Sequence, residues 1–437
     1  MCLDNKEELC NAVSVQETNV NFIFFFFLAI LNLFFFISLC ASMPMSQNEQ
    51  LQAPDPDCFY NITQMIQSKG YPWEEHKVIT SDGYILGVYR IPRGRNAPPS
   101  ATPGRPVLLQ HGLLDSGTSW VMNFPDQSLG YMLADAGYDV WIGNMRGNVY
   151  SRAHTKYNPN KDEEFWDFSF DEMANIDLPS MVYYILNVTK QEKIGYVGHS
   201  QGTMIGFINF GREDSVLQKN VSFWVALAPV AHLGHLESPI KYLSTATIQK
   251  DLELYWHLLF GKNEFLPSSN IIKWLGEYVC SRPFADRIAC ENVFFVLFGP
   301  ENKNLNQTRM SVYVSHVPDG TSVKNMIHFA QGVQSNIFAA YNYSTPAENM
   351  KHYNQSTAPE YTIKPMKVPT AVFSGGNDYL ADPTDVEYIF SQIQNETLVY
   401  KKYIPDYNHV DFIWAKDANE QIYNDVVMLM KKYHPLI

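Results

Sequence analysis

Gly198-His199-Ser200-Gln201-Gly202 decides the fold of this chain. Lys193-Ile194-Gly195-Tyr196-Val197 leads into it as a short buried strand. Thr203-Met204-Ile205-Gly206-Phe207-Ile208 leads out of it as the start of a buried helix. A serine between two glycines at a strand-to-helix junction is the pattern of a nucleophile elbow. Such a turn forces the serine backbone into a strained conformation, and its hydroxyl is expected to stand exposed above the sheet. Side chains at positions 198 and 202 would collide with the neighbouring strand and helix, which is why glycine is required there. The hydroxyl also lies near the positive end of the following helix. The predicted fold class is therefore α/β, an α/β-hydrolase fold with a mostly parallel central sheet.

A nucleophilic serine needs a base, and the base needs an orienting group. In this fold the chain order is Ser, then Asp or Glu, then His. Val368-Pro369-Thr370-Ala371-Val372-Phe373-Ser374 reads as a strand opening into Gly375-Gly376-Asn377-Asp378. Leu398-Val399-Tyr400-Lys401-Lys402-Tyr403-Ile404 reads as a later strand, followed by Pro405-Asp406-Tyr407-Asn408-His409. The C-terminal ends of parallel strands share one edge, and active sites gather there. Ser200 is thus the candidate nucleophile, His409 the base and then acid, and Asp378 the group that orients the imidazole. Asp382, Asp385, Asp406 and Asp411 are rival acids, and His111, His199 and His434 are rival bases. Pro106-Val107-Leu108-Leu109-Gln110 reads as a central strand running into His111-Gly112-Leu113-Leu114. The backbone N–H groups of Leu113 and Gln201 are the candidate oxyanion-hole donors.

These motifs resemble the acid lipase family that includes gastric lipase and lysosomal acid lipase. The resemblance runs from about Cys58 to the C-terminus. It is carried by Gln110–Leu114, Leu133–Trp141, Arg146-Gly147-Asn148, Phe168–Ala174, Tyr196–Thr203 and His409–Trp414. It implies hydrolysis of long-chain acyl esters, triacylglycerols or cholesteryl esters, often in acidic surroundings, at a lipid–water interface. On it the triad falls on Ser200, Asp378 and His409, and the oxyanion donors on Leu113 and Gln201. Two local departures bear on the acyl pocket: Asp115-Ser116-Gly117 replaces a more apolar stretch, and Met145 stands where a serine is usual. Cys58, Cys280 and Cys290 lie beyond the N-terminal apolar segment, an odd number that leaves one unpaired. The resemblance pairs Cys280 with Cys290.

Composition narrows the alternatives. The 437 residues are 46% hydrophobic and 14% aromatic, enough for a large core. The net charge of −13 argues against nucleic acid as a partner. No glycine pattern for nucleotide binding and no metal-ligand cluster stands out, so no cofactor and no metal are expected. Phe22 to Ala41 is almost wholly apolar and long enough to span a bilayer. The segment before it is acidic, whereas a signal peptide normally begins with positive charge. Cys40-Ala41-Ser42 nevertheless offers small residues at cleavage-type spacing. Residues 1–42 are read as a signal peptide, with an uncleaved membrane anchor as the alternative. Seven Asn-x-Ser/Thr sequons, at Asn61, Asn187, Asn220, Asn306, Asn342, Asn354 and Asn395, fit entry into the secretory pathway and a secreted or lysosomal protein.

Residues 43–230 read as the first part of the hydrolase core. His76–Ile91 holds a hairpin signal around Ser81-Asp82-Gly83. A helix is expected from Ser169–Asp171 through Leu186, interrupted or kinked at Pro179. The strand–helix rhythm breaks after Val230. Residues 231–361 are read as a mainly helical cap or lid, with Trp256–Phe260 and Ile271–Leu275 as its apolar inner face. Residues 362–437 resume the core and end in a helix near Ile422–Lys432. Two other functions compete with the lipase reading: a carboxylesterase for soluble short-chain esters, and a non-catalytic hydrolase-fold binding protein.

Overall fold

The computed structural model describes residues 55–244, 264–266, 295–300 and 304–436. The N-terminal apolar segment, Trp256–Phe260, Ile271–Leu275, Cys280 and Cys290 lie outside the described residues. No described helix is long and apolar enough to cross a membrane.

Among the described residues ten strands follow in chain order: β1 (Glu74–Ile79), β2 (Ile85–Ile91), β3 (Pro106–Gln110), β4 (Asp139–Gly143), β5 (Ile194–His199), β6 (Val221–Leu227), β7 (Glu264–Phe265), β8 (Thr321–Ser322), β9 (Thr370–Gly375) and β10 (Leu398–Ile404). Eight form one sheet in the order β1-β2-β4-β3-β5-β6-β9-β10. The expected hairpin is the antiparallel pair β1–β2, and β2 is antiparallel to β4. Every other pairing in that sheet is parallel. β7 and β8 form a separate antiparallel pair.

The sequence of each strand suits its place. Every residue of β3, β4, β5 and β9 is buried, as in a sheet covered on both faces. The outermost strands β1 and β10 are partly exposed and carry Glu74, Glu75, Lys77, Lys401 and Lys402, charges that discourage edge-to-edge pairing. From β3 the chain moves to β4 on one side, and from β5 to β6 on the other. The C-terminal ends of β3 and β5 therefore flank the crevice where strand order reverses, the usual ligand position in open α/β sheets.

The helix expected from Ser169 is interrupted one turn earlier than the sequence suggested. Ser169 caps Phe170–Glu172 through a capping box with Glu172. Met173–Asp177 is a π-helical turn, and the α-helix resumes at Leu178–Thr189 with Pro179 in its first turn. Pro179 has no N–H for the carbonyl of Asn175, and its ring would clash with that carbonyl in an unbroken α-helix. Widening the preceding turn removes the conflict: the Leu178 N–H donates to Met173 O instead. The turn also delivers Asp177 to Arg146. That buried guanidinium bonds Asp177 Oδ1 at 2.7 Å and Asp82 Oδ2 at 2.7 Å, and lies over the Tyr84 ring. It anchors the loop after β4 to the β1–β2 turn and to the long helix.

Among the described residues between β6 and β9, helices lie at Met310–His316, Val323–Ser335 and Pro346–Tyr353. Cys58 is buried and has no disulfide partner among the described residues.

Candidate active site

The turn after β5 brings Ser200 to φ 54°, ψ −120°, a conformation that non-glycine residues rarely adopt and that costs on the order of 1–3 kcal/mol. Its surroundings hold it there. The Ser200 N–H donates to Leu227 O at 3.1 Å, and Thr203 Oγ1 donates to Ser200 O at 2.6 Å. Thr203 Oγ1 in turn accepts from the Val230 N–H at 2.8 Å. A Cβ on Gly198 would lie 2.6 Å from Gly202 O, and one on Gly202 would lie 2.5 Å from Gln110 O. The elbow glycines are thus enforced by backbone, from the helix in one case and from the end of β3 in the other. The serine is less open than the sequence suggested. It retains 9% exposure, because Gly112 and the His409 ring close over it.

Asp378 follows β9 and His409 follows β10, and the sheet brings both to Ser200. Ser200 Oγ lies 2.7 Å from His409 Nε2, and His409 Nδ1 lies 2.9 Å from Asp378 Oδ1. All three side chains are buried. Asp378 Oδ1 also accepts from the N–H groups of Leu380 at 2.9 Å and Ala381 at 2.7 Å. A carboxylate held by two backbone donors can only accept, so His409 Nδ1 carries a proton and Nε2 is left to receive the serine O–H.

The rival residues are engaged elsewhere. Asp382 caps the helix Pro383–Gln392 through the Thr384 N–H, and Asp385 pairs with His235. Asp411 accepts from the Asn408 N–H, and Asp406 is exposed. His111 Nδ1 donates to Gly112 O at 2.8 Å, while its Nε2 accepts from the Met145 N–H at 3.1 Å and from Asn148 Nδ2 at 3.2 Å. Burial pushes its pKa down to about 4, so the ring is a neutral brace under the loop that carries Leu113. His434 bridges Pro106 O and Ser222 Oγ. His199 Nε2 donates to His409 O at 2.9 Å, and burial pushes its pKa down to about 3. The sequence marks His199 only as a rival base, yet its ring ties the elbow to the loop bearing His409.

Leu113 follows β3 at the crevice, and Leu114 beside it has φ 56°. Gln201 is the first residue of the helix Gln201–Phe210, so its N–H has no partner within that helix. The Gln201 side chain meets Asn325 from the helix Val323–Ser335. Nothing in the sequence marked Asn325, because no periodicity links residues so far apart. Among the described residues, no group of three or more His, Cys, Asp or Glu side chains could hold a metal ion. Of the sequon asparagines, Asn61, Asn187, Asn342, Asn354 and Asn395 are exposed. Asn220 is half-buried with Nδ2 donating to Glu192 O, and Asn306 is buried with Nδ2 donating to Gln127 Oε1.

Two buried carboxyls lie beside the Leu113 loop. Asp115 accepts from the Ser116 N–H and from Ser119 Oγ, and Asp319 accepts from the N–H groups of Val149 and Gly320. Among the described residues no cation pairs with either, and burial pushes both up to about 7 from 3.8. The folded state therefore holds protons between about pH 4 and pH 7 that the unfolded chain has released, so these groups withdraw stability as pH rises through that window. Buried His111, His199, His328 and His434, all pushed well below 6.5, act oppositely as pH falls. Comparing a variant with the parent cancels the histidine contribution. Asp319→Asn keeps an acceptor oxygen and cannot ionise. Its unfolding free energy relative to the parent should rise with pH, by on the order of a few kcal/mol between acid and neutral solution. Denaturant titrations of both proteins at several pH values check this, and parallel curves would show that the Asp319 carboxyl titrates alike in the folded and unfolded chain.

Comparison with known proteins agrees with this architecture. A family model described as the partial alpha/beta-hydrolase lipase region matches residues 62–124, and one for the alpha/beta hydrolase fold matches residues 105–416. The gastric triacylglycerol lipase of Rattus norvegicus is 49% identical over 376 residues, covering 86% of this chain and 93% of that protein. The lysosomal acid lipase/cholesteryl ester hydrolase of Homo sapiens is 46% identical over 386 residues, covering 88% of this chain and 94% of that protein. With the fold matched across most of its length and relatives of this similarity along nearly their whole extent, the chain belongs to the acid lipase family of α/β hydrolases and is a carboxylic ester hydrolase.

Proposed function

We propose that this lipase hydrolyses long-chain acyl esters, triacylglycerols and cholesteryl esters, at a lipid–water interface. The observation that carries the mechanism is the His409 ring, with Nε2 against Ser200 Oγ at 2.7 Å and Nδ1 against Asp378. Ser200 Oγ attacks the ester carbonyl as His409 Nε2 takes its proton. Asp378 stabilises the imidazolium and holds its tautomer. Charge builds on the former carbonyl oxygen, and the N–H groups of Leu113 and Gln201 stabilise it. The tetrahedral intermediate collapses, His409 returns the proton to the departing alcohol, and an acyl-Ser200 ester remains. Water, deprotonated by His409, then releases the fatty acid and restores the serine. No step calls for a cofactor.

The substrate class is supported by the names of the relatives, a gastric triacylglycerol lipase and a lysosomal acid lipase/cholesteryl ester hydrolase. The same relatives and the sequons support passage through the secretory pathway to a secreted or lysosomal location, and residues 231–361 are assigned as the cap over the core formed by 43–230 and 362–437. The test is hydrolysis of emulsified triolein, emulsified cholesteryl oleate and a soluble short-chain ester by the purified protein, from acid to neutral pH. Faster turnover of at least one emulsified long-chain ester is the expected result. Activity confined to the soluble ester would make the protein a short-chain carboxylesterase.

A further inference from the structure

One short segment of the chain reaches Gln201 and the immediate neighbour of Leu113, Gln201 and Leu113 being the two residues assigned to the oxyanion hole. At its start the Asp319 N–H donates to Leu114 O at 2.7 Å, one residue beyond Leu113. At its end Asn325 Nδ2 donates to Gln201 Oε1 at 2.8 Å and to Thr321 Oγ1 at 3.1 Å. Between them β8 pairs with β7, so the segment is tied to a second strand. Asn325 is fully buried, and its own N–H donates to Ser322 Oγ at 2.9 Å.

Gln201 is likewise buried, and its carboxamide is gripped at both ends. Oε1 accepts from Asn325, and Nε2 points to Met173 Sδ at 3.4 Å in the π-helical turn. An oxyanion donor needs only a backbone N–H, so the assigned role of Gln201 places no demand on its side chain. The clamp explains that side chain. A residue fixed at its tip has little freedom at its backbone, and the direction of its N–H is set. The effect of such a donor depends steeply on placement, since a shift of about 1 Å can cost on the order of 100-fold in rate.

We infer that Asn325 is a positioning residue for the oxyanion hole: its carboxamide, by holding the Gln201 side chain, aims the Gln201 backbone N–H at the reacting carbonyl, and the Asp319–Asn325 segment thereby completes the hole from outside the sheet. The inference rests on the assignment of Ser200 and Gln201 made above.

The test uses the full-length enzyme, a soluble short-chain ester, and a trifluoromethyl ketone that forms a tetrahedral adduct on the serine. Asn325→Leu keeps the volume and removes the donor. It should lower kcat by roughly 10- to 100-fold with KM within about twofold, and weaken the ketone by the same factor. Gln201→Leu retains the backbone N–H and should show the same loss. The double variant should be no worse than either single one, because both remove one contact. Wild-type kcat in a folded Asn325→Leu protein, a kcat loss without a matching loss of ketone affinity, or additive effects in the double variant would each overturn the inference. If Asn325→Leu does not fold, Gln201→Leu decides alone: an unchanged kcat there overturns it. Labelling of the wild-type enzyme with a fluorophosphonate separates the two readings, because absence of label at Ser200 would fault the catalytic assignment instead.

Discussion

Ser200→Ala should abolish ester hydrolysis, with a loss on the order of a million-fold, and leave the protein folded. The size of the loss follows from what is removed. Without Oγ no acyl-enzyme can form, and His409 Nε2 is left facing a methyl group. The tolerance of the fold follows from the site. Alanine meets the same backbone penalty at φ 54° as serine does, so the strain of the elbow is unchanged. The contacts that hold the turn are made by the Ser200 backbone, through Leu227 and Thr203, and survive the substitution. Initial rates on a soluble ester and a denaturant unfolding curve measure the two halves of the prediction. More than a trace of residual turnover would remove Ser200 from the nucleophile's role.

His409→Ala should be comparably severe, and Asp378→Asn should cost on the order of 10,000-fold through the wrong tautomer. The geometry says why an amide fails in a position where it fits. Two backbone donors, Leu380 and Ala381, meet Asp378 Oδ1 and would retain the oxygen of an asparagine. Its NH₂ would then turn toward His409 Nδ1, which must become an acceptor. The ring proton moves to Nε2 and points at Ser200 Oγ, so the base can no longer take the serine proton. Asp382→Asn and Asp385→Asn should stay within a few-fold of wild type, because those carboxylates serve a helix cap and His235. A silent Asp378→Asn beside an inactive Asp382→Asn or Asp385→Asn would mean that the wrong acid has been chosen. kcat/KM on a soluble ester is the measurement.

Much of this architecture is legible in the sequence because local sterics write it there. Gly198 and Gly202 are needed wherever a strand turns sharply into a helix against a neighbouring strand. Unbroken apolar runs such as Val107–Leu109 and Ala371–Phe373 need a sheet covered on both faces, and β3 and β9 are such strands. Strand ends supply loops, and parallel strands share an edge, so Ser200, Asp378 and His409 could be chosen for one place before any fold was seen. Two signals in the sequence set Asp378 apart from Asp382, Asp385, Asp406 and Asp411: its position after a Gly-rich strand end and the resemblance to the acid lipases. The two backbone donors at its oxygen, and the other partners of Asp382 and Asp385, exist only once the chain is folded.

Other features had no local signature. Pro179 announces a break in its helix, but proline restrains the turn before it, and that turn widens into a π-helix which also serves Arg146. The near-burial of Ser200 arises from the meeting of three loops that are far apart in sequence. His199 and His111 read as ordinary histidines; their tautomers are set by His409 O, Gly112 O and the Met145 N–H. Asn325 and Gln201 are 124 residues apart. A hydrogen bond at that separation follows no helical or strand period, because nothing in the intervening chain must repeat for it to form. The elbow and the sheet are legible in the sequence because neighbours along the chain enforce them, and the chain order of Ser200, Asp378 and His409 is read directly from it. Tertiary structure alone decided which polar groups brace them, since that depends on which surfaces meet when the chain closes on itself.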